Sequence, residues 1–133
     1  MLDLKVQNVA EQSESGYEFE LIYPTTQEKT GAFVKVRGSQ STKAKAHARK
    51  KYTEYRLREQ MAKRKGKEEE LTLDEAEEMA IETAIVRVIA WRGITEDGKE
   101  VPFTKENAER IFLEHSWIRE QISEAADQLL NFQ

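Results

Sequence analysis

Few residues in this chain have the types and spacing that chemistry needs. There is no cysteine, which removes thiolate catalysis, disulfides and cysteine-based zinc sites. The two histidines, His47 and His115, lack the spacing to a second histidine that a metal pair would show. They read as ordinary surface or boundary residues. The serines form no Gly-x-Ser-x-Gly elbow, and no glycine-rich loop could cradle a phosphate. Glu68, Glu69 and Glu70 make a run of acids, a pattern more typical of a solvated segment than of a catalytic pair. These absences point away from an enzyme and from any cofactor or metal.

Charge distribution says more than net charge. The chain has 133 residues, 38% hydrophobic and 35% charged, with a formal charge of −4. From Lys43 to Lys67 there are eleven basic residues and two acids, Glu54 and Glu59. From Glu68 to Glu82 there are eight acids and no base. A basic block followed at once by an acidic one suits recruitment of other proteins. Lys45, Arg49, Tyr52 and Arg56 could equally face phosphates. The overall acidity and the adjacent acidic block argue against nucleic acid.

The elements that must carry these charges follow from periodicity. One domain is expected over residues 16–133, preceded by a weakly ordered arm over 1–15. Leu4, Val6 and Val9 could add a short strand to that arm. The first ten residues lack the basic start and long apolar run of a secretory signal, so a cytoplasmic location is expected. Tyr17, Phe19 and Leu21 alternate with glutamates, and residues 32–37 form a second β-branched and aromatic run. Pro24, Thr25, Thr26 and Gly31 punctuate the loop between them. The expectation is a β-hairpin over 16–38, which must find helices, a third strand or another copy to become stable.

Residues 39–66 predict a basic helix with a thin apolar stripe. Residues 72–92 predict the core helix. Thr72 and Glu75 fit a capping box, and Asp74, Glu75 and Glu78 place negative charge at the positive end of the helix dipole. From Met79 to Trp91 nearly every residue is apolar, and Gly93 suits a helix terminator. That segment is too short and too charged at its start to span a membrane. Asp97-Gly98 marks a tight turn. A helical pair is expected over 104–132, with Thr104 and Ser116 as caps. The fold class is therefore mainly α (α+β): an N-terminal β-hairpin followed by about four helices around a central apolar helix.

Several segments go further. Residues 20–38 (ELIYPTTQEKTGAFVKVRG), 89–94 (IAWRGI), 98–108 (GKEVPFTKENA) and 117–122 (WIREQI) occur in this order. Together they resemble the tail assembly chaperones of long, non-contractile-tailed, lambdoid-type bacteriophages and their prophages. The resemblance implies a non-enzymatic protein of the host bacterial cytoplasm, absent from the finished virion. It would bind the tape measure protein, keep it soluble, and help recruit the major tail protein. It also implies that a longer, frameshifted form can accompany the short one, and the ending at residues 130–133 would suit the short form.

That role directs attention to surfaces. Oppositely charged faces would let copies assemble into rings or helical arrays. Lys45, Arg49, Tyr52 and Arg56 of the basic helix would meet Asp74, Glu75 and Glu78 of a neighbour, with Phe33 and Val34 exposed on the hairpin beside them. Phe112, Trp117 and Leu130 are the candidates for a groove gripping the tape measure protein, or else simply core. A small phage nucleic-acid-binding or regulatory protein using the basic helix is the other reading.

Overall fold

The computed structural model describes residues 1–4, 8–67 and 71–132. Val6 and Glu68–Glu70, singled out above, lie outside them. The architecture is α+β with an N-terminal hairpin.

Strands β1 (Tyr17–Ile22) and β2 (Lys29–Val36) pair antiparallel, with Phe19 opposite Val34. The third strand, β3, is Val88–Arg92, and β2 lies between β1 and β3. Val34 sits opposite Trp91. Ala32, Val34 and Val36 alternate inward along β2, joined by Leu21 and Val88. A layer of helices covers that face.

The middle helix is shorter than the sequence suggested. Helix α3 is Leu73–Arg87, whereas a helix to Arg92 was expected. Val88, Ile89 and Trp91 favour extended backbone, and the hairpin's exposed edge gives that backbone a hydrogen-bonding ladder. The apolar stretch is thus a helix face followed by a strand, and Gly93 ends no helix. It follows β3 at φ +81, where a Cβ would come 2.6 Å from the Gly31 carbonyl oxygen.

Arg37 holds the switch from helix to strand. Its backbone N–H donates to the Arg87 carbonyl at 2.8 Å. Its guanidinium donates to the carbonyls of Val86 and Val88. Carbonyls at a helix C-terminus have no partner within the helix, so an outside donor stabilises the end.

The start of α3 follows the sequence. The Thr72 hydroxyl accepts the Glu75 N–H at 3.1 Å. The Glu75 carboxylate, in turn, accepts the Thr72 hydroxyl and the Arg58 guanidinium. Helix α2 spans Thr42–Arg64, capped by Ser41, whose hydroxyl accepts the Ala44 N–H at 3.2 Å.

After β3, a two-strand ribbon of β4 (Thr95–Glu96) and β5 (Lys99–Glu100) turns at Asp97-Gly98, both at positive φ. Helix α4 is Lys105–Glu114, capped by Thr104. Helix α5 is Ser116–Asp127. Its cap position is His115, so Ser116 is the first helical residue and not the expected cap. A short 3-10 turn, Leu129–Phe132, follows. The Gln121 side chain accepts the Ile22 N–H and donates to the Ile22 carbonyl, satisfying that point of the β1 backbone as a strand would.

Val9, which could have joined a short strand, lies in a helix instead: α1 is Val9–Ser15, with the Asn8 side chain accepting the Glu11 N–H. Ser13 is fully buried against Gly38, where a Cβ would stand 2.4 Å from the Ser13 hydroxyl oxygen. Glu14 accepts the Thr42 N–H at the start of α2. Small residues at 13 and 38 let the two backbones meet, a relationship that local composition does not encode.

The core is shared between layers. Ile81 and Ala84 of α3, Ala108, Ile111 and Phe112 of α4, and Ile118, Ile122 and Ala126 of α5 pack on the sheet with Phe132.

Candidate interaction surfaces

The buried positions come first, because they cannot serve a partner directly. Val34 was expected on the exposed face of the hairpin, but it has no exposed surface. Strand alternation points it inward, and the helices that cover the sheet lie on that side. Its neighbour Phe33 faces the other way, half-buried, under the Arg92 guanidinium at 4.0 Å from the ring centre. Phe112 is likewise fully buried and stands 6.1 Å from the Trp91 ring. It is a core residue and lines no open groove between α4 and α5. Trp117 is half-buried against Tyr23. Leu130 is the exposed member of that trio, at 74%.

The basic helix behaves differently. Its inward face meets α3 through ions. Lys51 pairs with Glu82 at 2.5 Å and Arg58 with Glu75 at 2.6 Å. Between the two helices lies a cavity of about 170 Å³, lined by Tyr55, Leu71 and Met79 among these charges. Arg58, with help from Thr72, holds the Glu75 carboxyl below its ordinary range. Glu82 raises the Lys51 ammonium above its own. His47 also faces α3, 3.2 Å from the Thr83 hydroxyl. Burial chiefly, and then the nearby Lys51, lower its pKa, against the pull of Glu82.

Lys45, Arg49, Tyr52 and Arg56 lie at intervals of four, three and four residues, which puts them on one face. All four are exposed. Arg56 covers the Tyr52 ring at 5.9 Å and donates to its hydroxyl. This face points away from the α3 contact. The structure therefore gathers the four basic-helix candidates into one stripe, but turns that stripe away from the acids of its own chain. Of the acidic candidates, Glu75 is committed to Arg58, while Asp74 and Glu78 carry no ion pair among the described residues.

Two surfaces escaped sequence reasoning. The first is apolar. Leu57 and Met61 near the end of α2, and Leu71 and Leu73 at the start of α3, are exposed at the same end of the helical hairpin, Leu73 by 90%. The i, i+4 pair Leu57/Met61 was visible in the sequence as part of a weak stripe. The second is a groove of about 510 Å³ where α3 meets α4. Ile81 and Leu113 form its apolar lining, and Asp74, Glu77, Glu78 and Glu109 surround them. The spacing 74, 77, 78, 81 placed four of these residues on one helix face. Their partners on α4 are brought there only by the fold.

Among the described residues, no group of three or more histidine or acidic side chains is placed to share a metal ion. Among the same residues, no helix is long and apolar enough to cross a membrane.

A family model, that of the YdaY prophage protein, matches residues 37–133. This chain belongs to that family. The match takes in α2 through the final 3-10 turn, including both newly found surfaces, and leaves β1 and β2 outside. No curated protein and no solved structure gives a significant match. Membership of the YdaY prophage family marks a phage or prophage protein.

Proposed function

We propose that this prophage protein is a tail assembly chaperone that binds the tape measure protein and helps recruit the major tail protein around it. It acts by binding, without catalysis, in the host cytoplasm and as part of an assembly of several copies. A longer frameshifted form would share the same body.

The observation that carries this reading is the division of labour in the fold. The segments that resemble tail assembly chaperones lie in or next to the body. Trp91 of residues 89–94 contacts Val101 and Phe103 of residues 98–108. Trp117 of residues 117–122 contacts Tyr23 of the hairpin. These residues build a scaffold. The scaffold carries a helical hairpin, α2–α3, whose end exposes Leu57, Met61, Leu71 and Leu73 between the basic end of α2 and the acidic start of α3. A long helix whose repeated apolar stripe is left unpaired is prone to aggregate, and such an end offers it apolar cover with a charged exterior. Many weak contacts along its length would add up to firm retention.

Co-expression with a tape measure protein tests the reading. The expected result is that an otherwise insoluble partner becomes soluble and co-purifies. Leu57→Glu with Met61→Glu should abolish that effect while leaving the chaperone folded. A tape measure protein that stays insoluble with the unaltered chain would overturn the reading. If the purified chain instead shifts a nucleic acid duplex in a salt-sensitive way, the regulatory alternative that uses the basic helix takes its place.

A further inference from the structure

We propose that the acidic groove between α3 and α4 receives the outer face of α2 from a second copy of this chain, so that copies associate head to tail.

The groove defines what it can hold. Its apolar floor is the side chain of Leu113, 57% exposed, above the buried Ile81, and it suits one apolar or aromatic group. Asp74, Glu77, Glu78 and Glu109 around that lining call for cations on either side of the group. A fifth acid of the lining, Glu82, is held by Lys51, and part of the remaining acidity is also met. Glu77 has Arg119 at 3.9 Å, and Glu109 has Lys105 at 3.9 Å. Asp74 and Glu78 have no ion pair among the described residues. The fitting occupant is therefore a helix that carries an aromatic residue with basic residues one turn before and after it.

The chain presents such a helix. On the outer face of α2, Tyr52 is 64% exposed, with Arg49 and Arg56 one turn away on each side and Lys45 a further turn back. Across Thr42–Arg64 there are nine basic residues and two acids. Lys45 and Arg49 carry no ion pair among the described residues. Like charge along α2 is costly when unrelieved, and an acidic surface relieves it.

The groove cannot take the stripe of its own chain. The opposite face of α2 is the one fastened to α3, through Lys51–Glu82 and Arg58–Glu75. Donor stripe and acceptor groove thus lie on different faces of one molecule. A contact that joins unlike faces repeats, and it closes into a ring or extends into a helical array. The inference needs only the chain itself. It refines the multi-copy assembly of the proposed function and does not depend on a tape measure protein.

Charge exchange tests it. The full chain is nuclease-treated and examined by sedimentation velocity at about 50 mM and about 500 mM salt, where the screening length falls several-fold. The expected result is a mass that rises at least about two-fold over the monomer with concentration at low salt and collapses at high salt. Arg49→Glu with Arg56→Glu, and separately Asp74→Lys with Glu78→Lys, should each stay monomeric with unchanged helical circular dichroism. An equimolar mixture of the two should associate again, because each variant's altered face meets the other's. Overturning results are a chain that is monomeric at low salt, assembly that either double variant leaves intact, or a mixture that fails to recover. A monomeric chain would also remove the multi-copy part of the proposed function, but none of these outcomes bears on whether a tape measure protein is kept soluble, so the binding reading and this inference fail separately.

Discussion

The indole N–H of Trp91 donates to the backbone carbonyl of Val101 at 2.8 Å, while its ring stands edge-on to Phe103 at 4.9 Å. One side chain on the sheet's last strand thereby fixes the extended segment that leads into α4. Trp91→Phe keeps most of the ring packing but leaves the carbonyl unpaired. The expected loss is about 1–2 kcal/mol. Trp91→Ala should cost about 3–5 kcal/mol. Equilibrium urea unfolding measures both, and a Trp91→Phe variant as stable as the unaltered chain would show that the hydrogen bond contributes nothing.

Gly93 and Gly31 share φ +81 but not their surroundings. An added Cβ at Gly31 meets open space, whereas at Gly93 it meets the Gly31 carbonyl at 2.6 Å. Gly31→Ala should cost about 1 kcal/mol, the strain of a left-handed backbone alone. Gly93→Ala should cost more, about 2–3 kcal/mol, because the strand end must also shift. Thermal unfolding of the two variants side by side checks the order.

Phe112 and Leu130 separate core from surface. Phe112→Ala empties a fully buried site and should cost about 3–5 kcal/mol. Leu130→Ala removes an exposed side chain and should stay within about 0.5 kcal/mol. A tape measure protein held through Leu130 would release when Leu130 is changed, with stability unaltered. Retention by that variant excludes the C-terminal turn from the binding surface.

Arg37→Ala removes the guanidinium from the carbonyls of Val86 and Val88. The expected cost is about 1–2 kcal/mol. Arg37→Lys should recover only part of it, since an ammonium cannot copy the planar fork. Hydrogen exchange should show faster opening at the last turn of α3, ahead of the rest of that helix.

Acid stability has two limbs. The native state disfavours protonated His47, so its pKa is lowered from 6.5. As pH falls through 6.5 the unfolded chain takes up that proton first, and stability drops until the native imidazole also protonates. His47→Gln should flatten this limb. The carboxyls of Glu14, Glu75 and Glu96 are lowered from 4.5, by Thr42, Arg58 and Arg110 respectively. Their contribution is present above 4.5 and lost as pH falls below it. Urea midpoints from pH 8 down to about 3 would resolve the two limbs, and Glu75→Gln should weaken the second alone.

Sequence alone settled the features whose causes are local. Thr72 and Thr104 cap helices because a hydroxyl just before a helical run meets a free N–H within three residues. Asp97-Gly98 turns a ribbon because those two residues tolerate positive φ. Lys45, Arg49, Tyr52 and Arg56 share a face because helical spacing puts them there. The tertiary structure decided whatever needed a distant partner. Residues 88–92 became strand because the edge of β2 offered them hydrogen bonds that a continued helix would have left unused. Val34 and Phe112 went inside because the helices and the sheet close over the faces they occupy. Leu113 and Glu109 joined Asp74 and Glu78 in one groove because α4 returns beside α3, a meeting that no window of the sequence contains.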